Sequence, residues 1–260
     1  MTVAELYRLF DEKYPVSLRE EWDNDGLMLS PDTEKTVKRV LVALDVSEAV
    51  AKHAVENRFD LIVSHHPLIF TPLSSLTPDD PIAKRAMRLL SGGVSVFSFH
   101  TRLDAAKGGV NDTLAAISGL TEVTAFGGEN LLGRVGVLPK ETTLSAFANG
   151  IGKSLSTNYL FYAGNRPVRR VAVVGGSGKS MIGDALKTGA DTFLSGRFSY
   201  EAMIEAEASG MNLVEAGHFA TENPVTEVLR RDLLSFDPTL TVETLSSYNL
   251  SCGRFDKNIG

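Results

Sequence analysis

The sequence predicts an α/β protein, and three observations lead to that class. Short apolar runs alternate with amphipathic stretches along most of the chain, the order expected of βα units around a largely parallel sheet. Two segments repeat the same strand, helix, strand rhythm at nearly the same length, 20 residues from Leu41 to Leu61 and 21 from Val171 to Thr192. At 260 residues and 28.0 kDa the chain has room for one large α/β domain or two smaller ones, and either can bury a core without covalent staples. Internal duplication and generic βαβ units account equally well for the repeated rhythm.

Thr2-Val3-Ala4-Glu5 has the form of a capping box, and Leu6, Leu9 and Phe10 follow at helical spacing, so residues 3–13 are read as a helix. Residues 39–46, Arg-Val-Leu-Val-Ala-Leu-Asp-Val, form a buried-strand candidate; Ser47 then caps a helix running to about Glu56, and Phe59 to Ser64 makes the next strand. Pro81 to Leu90 reads as a helix and Val94 to Phe99 as a short strand. Phe126-Gly127-Gly128 marks a composition shift where a second domain can begin. Beyond it, Arg170 to Val174 is a strand opening into Gly175-Gly176-Ser177-Gly178, read as a tight turn into a helix from Ser180 to Thr188. Strands at Asp191 to Leu194 and Asn212 to Ala216 follow.

Composition excludes several classes. Hydrophobic residues make up 43% of the chain and charged residues 22%, with mean hydropathy near zero, which rules out disordered, collagen-like and fibrous proteins. No apolar run reaches the roughly eighteen residues of a membrane span, and Glu5, Asp11, Glu12 and Lys13 interrupt any secretory leader. The single cysteine, Cys252, excludes an intramolecular disulfide and a cysteine-based zinc site; it has no evident histidine partner, and with the missing leader it points to the cytoplasm. A net charge of −6 and a pI of about 5.4 argue against nucleic acid or an anionic membrane as partner.

Chemistry concentrates at strand ends. Ser64-His65-His66-Pro67 closes a strand apolar enough to be buried on both faces, and polar groups at the C-terminal ends of such strands lie where open α/β sheets bind ligands. Neighbouring residues on an extended strand point to opposite faces, so His65 and His66 do not readily chelate one ion, but they can serve two. His100-Thr101-Arg102-Leu103-Asp104 and His218-Phe219-Ala220-Thr221-Glu222 each follow a strand and place a carboxylate four residues after a histidine, on one face if the chain turns helical. Four of the five histidines thus fall at three strand ends. Imidazole and carboxylate without thiolate suit zinc, manganese, iron or nickel.

Other clusters carry less. Trp22-Asp23-Asn24-Asp25-Gly26 reads as an Asx-type turn with Gly26 at positive φ, Asp45 ends its strand within reach of the same crevice, and Gly108-Gly109-Val110-Asn111-Asp112 offers backbone donors before a helix, an anion-binding geometry. Gly178-Lys179-Ser180 ends like a phosphate-binding P-loop, but that pattern needs a further glycine where Val173 stands, so nucleoside triphosphatase activity is not expected. His53, on a helix before Asn57, is read as ordinary packing or surface.

Together these segments resemble the YbgI/Nif-three-like family, often labelled GTP cyclohydrolase I type 2 homologues. The match runs through Trp22-Asp23-Asn24, Ala43-Leu44-Asp45, Ser64-His65-His66-Pro67, His100-Thr101 with Leu103-Asp104-Ala105-Ala106, and Gly108 to Asp112. It continues with Gly133-Arg134-Val135-Gly136, Val174 to Gly178, and Gly217-His218 with Ala220-Thr221-Glu222. The resemblance implies two similar α/β domains, a ring-shaped homohexamer and a dinuclear metal site in the cleft between the domains. It also implies His65, His66, Asp104, His218 and Glu222 as metal ligands, with His100 close by either to support the ligands or to act in acid/base chemistry, and one unassigned carboxylate bridging the ions. A long middle insertion found in many family members is expected to be absent, given the short span from Gly136 to Val171. Arg102, Phe219 and Arg197 depart from the family pattern, and the two arginines add positive charge if they face the cleft.

The expected fold is therefore α/β, with residues 1–126 carrying the His-His-Pro and His100/Asp104 segments, residues 127–260 carrying His218 and Glu222, and the C-terminal segment free to return to the first domain. The expected function is that of a cytoplasmic metal-dependent hydrolase using two divalent ions on a small molecule such as a nucleotide or related heterocycle, with His100 moving the proton. The competing class is a non-catalytic metal-binding, metal-delivery or partner-binding ring.

Overall fold

The structure is a computed structural model that describes residues 1–246; Cys252 lies outside the described residues. In chain order the elements are α1 (Val3–Lys13), β1 (Gly26–Leu29), β2 (Arg39–Ala43), α2 (Glu48–Glu56), β3 (Leu61–Ser64), α3 (Pro81–Ser91), β4 (Ser95–Ser98), α4 (Thr101–Ala105), α5 (Val110–Ile117) and β5 (Thr121–Phe126). They continue with β6 (Gly133–Thr142), α6 (Leu144–Ser154), β7 (Phe161–Ala163), β8 (Val168–Ser177), α7 (Ile182–Lys187), β9 (Thr192–Arg197), α8 (Tyr200–Ser209), β10 (Asn212–Glu215), α9 (His218–Glu222), α10 (Val225–Phe236) and β11 (Thr241–Thr244).

Local chemistry sets the helix starts. Thr2 accepts from the Glu5 amide while the Glu5 carboxylate accepts from the Thr2 amide, the reciprocal capping box expected from sequence. Ser47 caps α2, and Asp80 caps α3 with a proline in its first turn. No helix among the described residues is long and apolar enough to cross a membrane.

The strands form two mixed sheets. The five-stranded sheet has the order β1-β4-β3-β2-β11, parallel except for β1, and the six-stranded sheet has the order β5-β6-β8-β9-β10-β7, with β8, β9 and β10 parallel. In the two βαβ units Val40 pairs with Leu61 and Val171 with Thr192, the same separation in sequence. The inner strands of both sheets are buried on both faces, as their near-continuous apolar sequences require. Val40, Val42 and Val63 pack under α1 and α10 while Leu41, Ala43 and Ile62 pack under α2; Val171 and Val173 face α5 and α6 while Ala172 and Val174 face α7 and α8. Each valine, leucine or isoleucine among them contributes about 1.5–3 kcal/mol when fully removed from water.

One element differs from expectation. The glycine run read as a turn is the end of β8, which still pairs Ser177 with Arg197 across an irregular register, and α7 begins only at Ile182. Gly176 adopts φ +63° there, so the strand continues through a kink that a side chain would strain.

Candidate metal centre

β3 delivers His65 and His66, β4 ends two residues before His100, and β10 leads through Gly217 into the short helix α9 that carries His218 and Glu222. The C-terminal ends of strands from both sheets therefore meet at one place, where polar groups can gather without breaking either core. The two neighbouring histidines hold different partners at Nδ1 but both bring Nε2 to the same cluster, their rings 4.9 Å apart, because β3 ends at Ser64 and the opposite-face rule of an extended strand no longer applies to them. His65 is fully buried, and its Nδ1 lies 2.9 Å from the Phe99 carbonyl oxygen. A carbonyl only accepts, so Nδ1 carries the proton and Nε2 turns a lone pair inward. His66 Nδ1 lies 2.6 Å from Asp45 Oδ1, which likewise leaves Nε2 facing the site.

Glu222 stands at the centre. Its Oε2 is 2.9 Å from His218 Nε2, its own i,i+4 neighbour, and 3.0 Å from His66 Nε2, while its Oε1 is 3.8 Å from His65 Nε2. Asp104 Oδ1 approaches His65 Nε2 at 3.8 Å. Ligand-capable atoms within 4.8 Å of one another group as His66, His218 and Glu222; as His65, Asp104 and Glu222; and as His65, His66 and His100. Glu222 belongs to two of these triads.

The charge balance of the cluster is unfinished. His65 Nε2, Asp104 Oδ1 and Glu222 Oε2 are buried without an aligned hydrogen-bond partner, close as the Glu222 oxygen is to two imidazoles. Orphaned buried polar atoms cost roughly 1–3 kcal/mol each, and a divalent cation is a partner that all three can share. Burial by itself lowers the pKa of His66, but its hydrogen bond to Asp45 and the Glu222 carboxylate raise it to about 10. Burial raises Asp104 to about 6. Glu222, despite its burial, is held well below the usual carboxylate range by His218, His65 and His66. The donor set thus fits divalent cations: imidazoles fixed by a carboxylate or carbonyl on the far nitrogen, and carboxylates directed at them.

His100 borders this cluster, its ring 5.3 Å from that of His65 and 5.7 Å from that of His66. Its Nδ1 is 2.8 Å from Asp23 Oδ1, and its backbone amide donates to Asp25. Asp104 turns to His65 instead, so the His100/Asp104 segment does not close as an i,i+4 pair, whereas His218/Glu222 does. Burial opposes the charge on His100, yet the Asp23 hydrogen bond and the Asp104 charge raise its pKa. Asp23 is lowered to about 2 because the hydrogen bond and charge of His100 outweigh burial. The sequence reads these two aspartates as turn formers, with Asp23 inside the Trp22-Asp23-Asn24 match to the family, and gives no sign that they support His100.

Arg102 does not add charge to the site. It is 1% exposed and points away, with Nε donating to Asp25, Nη1 donating to Asp11 and to the Tyr14 carbonyl, and its guanidinium stacked 4.8 Å from the Phe99 ring. Arg197 is exposed at the end of β9. The Gly108 loop is also filled internally: the Gly108 amide donates to Asp112, which pairs with Arg134, so no free anion cradle remains there. His53 contacts Glu243 as an ordinary surface pair.

The glycine run has a purpose that its P-loop likeness hid. A Cβ on Gly176 would stand 2.0 Å from Glu222 Oε1, and one on Gly196 would stand 2.7 Å from the His218 Cα. Asn111 ties this floor to α4, accepting from the Gly175 amide and donating to the Asp104 carbonyl.

Fold and site together define a class: an α/β protein with two mixed sheets and a histidine-carboxylate cluster at their strand ends. Residues 1–249 match the Duf34/NIF3 (NGG1p interacting factor 3) family model, and the chain belongs to that family. It is 37% identical over 232 residues to a GTP cyclohydrolase 1 type 2 homolog of Clostridium perfringens, covering 86% of this chain and 88% of the relative. Among solved structures it is similar to Staphylococcus aureus protein SA1388, with a TM-score of 0.86 at 26% identity over 98% of this chain and 99% of that one. It is also similar to reduced HcgD from Methanocaldococcus jannaschii, with a TM-score of 0.81 at 29% identity over 94% and 98%.

Proposed function

We propose that this chain is a dinuclear metal-dependent hydrolase acting on a nucleotide or related heterocycle, with GTP-cyclohydrolase-type ring opening as the first activity to assay. In this reading two divalent ions would be held in the cleft between two α/β domains, with Glu222 able to serve as a ligand to both. His65 and Asp104 complete one side, and His66 and His218 the other. The observation that carries it is the presence of Glu222 in two ligand triads among three orphaned buried donors. The names of relatives such as the Clostridium protein support the nucleotide.

Bound there, a pair of zinc, manganese, iron or nickel ions supplies Lewis-acid activation of water and of a substrate oxygen or nitrogen. The chain supplies the rest. Asp45 and the Phe99 carbonyl hold His66 and His65 in the tautomer that turns Nε2 inward, and burial keeps bulk water away from Glu222. His100, its Nδ1 held by Asp23, presents Nε2 to give or take the substrate proton, and the Asp23 hydrogen bond raises its pKa against burial.

Metal-loaded protein is expected to turn over GTP or another purine nucleotide, and His65→Ala to lose both metal and turnover. Stoichiometric binding of two ions with no turnover in any metal form would assign the centre to metal delivery or partner binding instead. A ring-shaped homohexamer in the cytoplasm belongs to the same proposal, supported by the exposed apolar side chains Phe161, Tyr200 and Ile204 around one surface cavity. A sedimentation mass of six chains is the expected result.

A further inference from the structure

Trp22 is 61% exposed and Phe70 46% exposed, although the fold has two sheets able to bury large apolar side chains. The two rings meet edge to face at 6.2 Å and 62°, and each also stands nearly perpendicular to His100, at 6.2 Å and 79° for Trp22 and 6.1 Å and 89° for Phe70. Three rings therefore form a corner, and its third wall is the imidazole that borders the candidate metal centre. Exposed Glu21 and Thr71 flank the aromatic pair in sequence.

The backbone behind the corner is pinned. Asp23 and Asp25 are buried, Asp23 accepting from the Thr101 amide and hydroxyl and Asp25 from Arg102 and the His100 amide. Asn24 donates to the Ile69 carbonyl, fixing the loop that carries Phe70 against the turn that carries Trp22. A frame of buried carboxylates that holds an exposed indole in one place is preorganised for a ligand. Exposed aromatic walls at such angles offer a flat ring both a face to stack on and an edge to meet.

We propose that Trp22 and Phe70 form a stacking subsite for the planar heterocycle of the substrate, holding a purine-like ring beside His100 at the mouth of the metal centre. The proposal rests on the hydrolase reading for the reaction but not for the binding. A base held on an aromatic wall loses about tenfold or more in affinity when that wall is cut to alanine.

Trp22 is the only tryptophan in the chain, so intrinsic fluorescence reports this corner directly. The metal-loaded protein is titrated with GMP and with ribose 5-phosphate, which shares the sugar phosphate but lacks the ring. GMP is expected to quench Trp22 emission saturably while ribose 5-phosphate does not. Phe70→Ala is expected to weaken GMP about tenfold at unchanged metal content, and calorimetry should show the same loss for Trp22→Ala and its recovery in Trp22→Phe. Equal effects of the two ligands, or unchanged GMP affinity in both alanine variants, would overturn the subsite. So would blue-shifted emission shielded from acrylamide in the free protein, because a second chain would then cover Trp22. Quenching without turnover upholds the subsite and removes the hydrolase reading; turnover with GTP kinetics unchanged in both variants removes the subsite and leaves the hydrolase.

Discussion

Gly176 and Glu222 occupy one space: the carboxylate fills the position a Gly176 side chain would need, with Oε1 2.0 Å from an ideal Cβ. The left-handed φ of +63° at Gly176 adds a backbone cost for any other residue. Gly176→Ala is therefore expected to displace Glu222, cutting metal content below half that of the parent and destabilising the fold by about 1 kcal/mol or more. Elemental analysis beside a denaturant curve checks both, and full metal retention would contradict the packing.

Metal uptake is expected to release protons. His66, raised to about 10 by Asp45 and Glu222 against the opposing effect of burial, is charged in the metal-free protein at neutral pH and must lose its proton to bind a cation. Apparent metal affinity should rise about tenfold per pH unit for each proton displaced, up to that value. The sign for stability runs the other way in the metal-free form. A raised pKa stabilises fully below the ordinary histidine value of 6.5, and that contribution is lost as pH rises toward about 10. Calorimetry in buffers of different ionisation enthalpy measures the release, and pH-independent affinity between 6 and about 9 would contradict it.

Arg102→Met tests the buried ion network behind the site. The substitution leaves the buried Asp25 carboxylate with only the Arg19 guanidinium at 3.7 Å and the His100 amide, a loss of up to about 3–5 kcal/mol. Chemical denaturation should show it. A change below about 1 kcal/mol would mean that Asp25 finds other partners.

Removing Asp23 should uncouple His100 from its support without removing a metal ligand. Asp23→Asn is expected to bring the His100 pKa down toward the ordinary histidine value while metal content stays unchanged. An NMR titration of His100 reads the shift, and an unmoved midpoint would contradict Asp23 as its cause.

Much of this was legible in sequence wherever local chemistry decides the outcome. Thr2 and Glu5 spell out the start of α1, Ser47 that of α2, and the unbroken apolar runs around Val42, Val63 and Val173 mark strands buried on both faces. The histidines at strand ends were readable because a buried parallel strand leaves polar residues only at its tip. What depended on distant partners was not. β5 and β7 are largely exposed edge strands with no alternating pattern, and β11 is defined by pairing with β2 from the other end of the chain. The same holds in the site: Arg102 lies only two residues after His100, yet its direction is set by Asp11 and Asp25, and the glycines of β8 make sense only once Glu222 lies on them.

Elemental analysis of the purified, metal-loaded protein and two variants tests the shared carboxylate most directly. A bridge makes Glu222 necessary to both ions, whereas Asp104 touches only the side it shares with His65. Glu222→Gln is expected to lose both ions and Asp104→Asn one, with circular dichroism confirming that each variant remains folded. Retention of both ions in folded Glu222→Gln would contradict a centre built around that carboxylate.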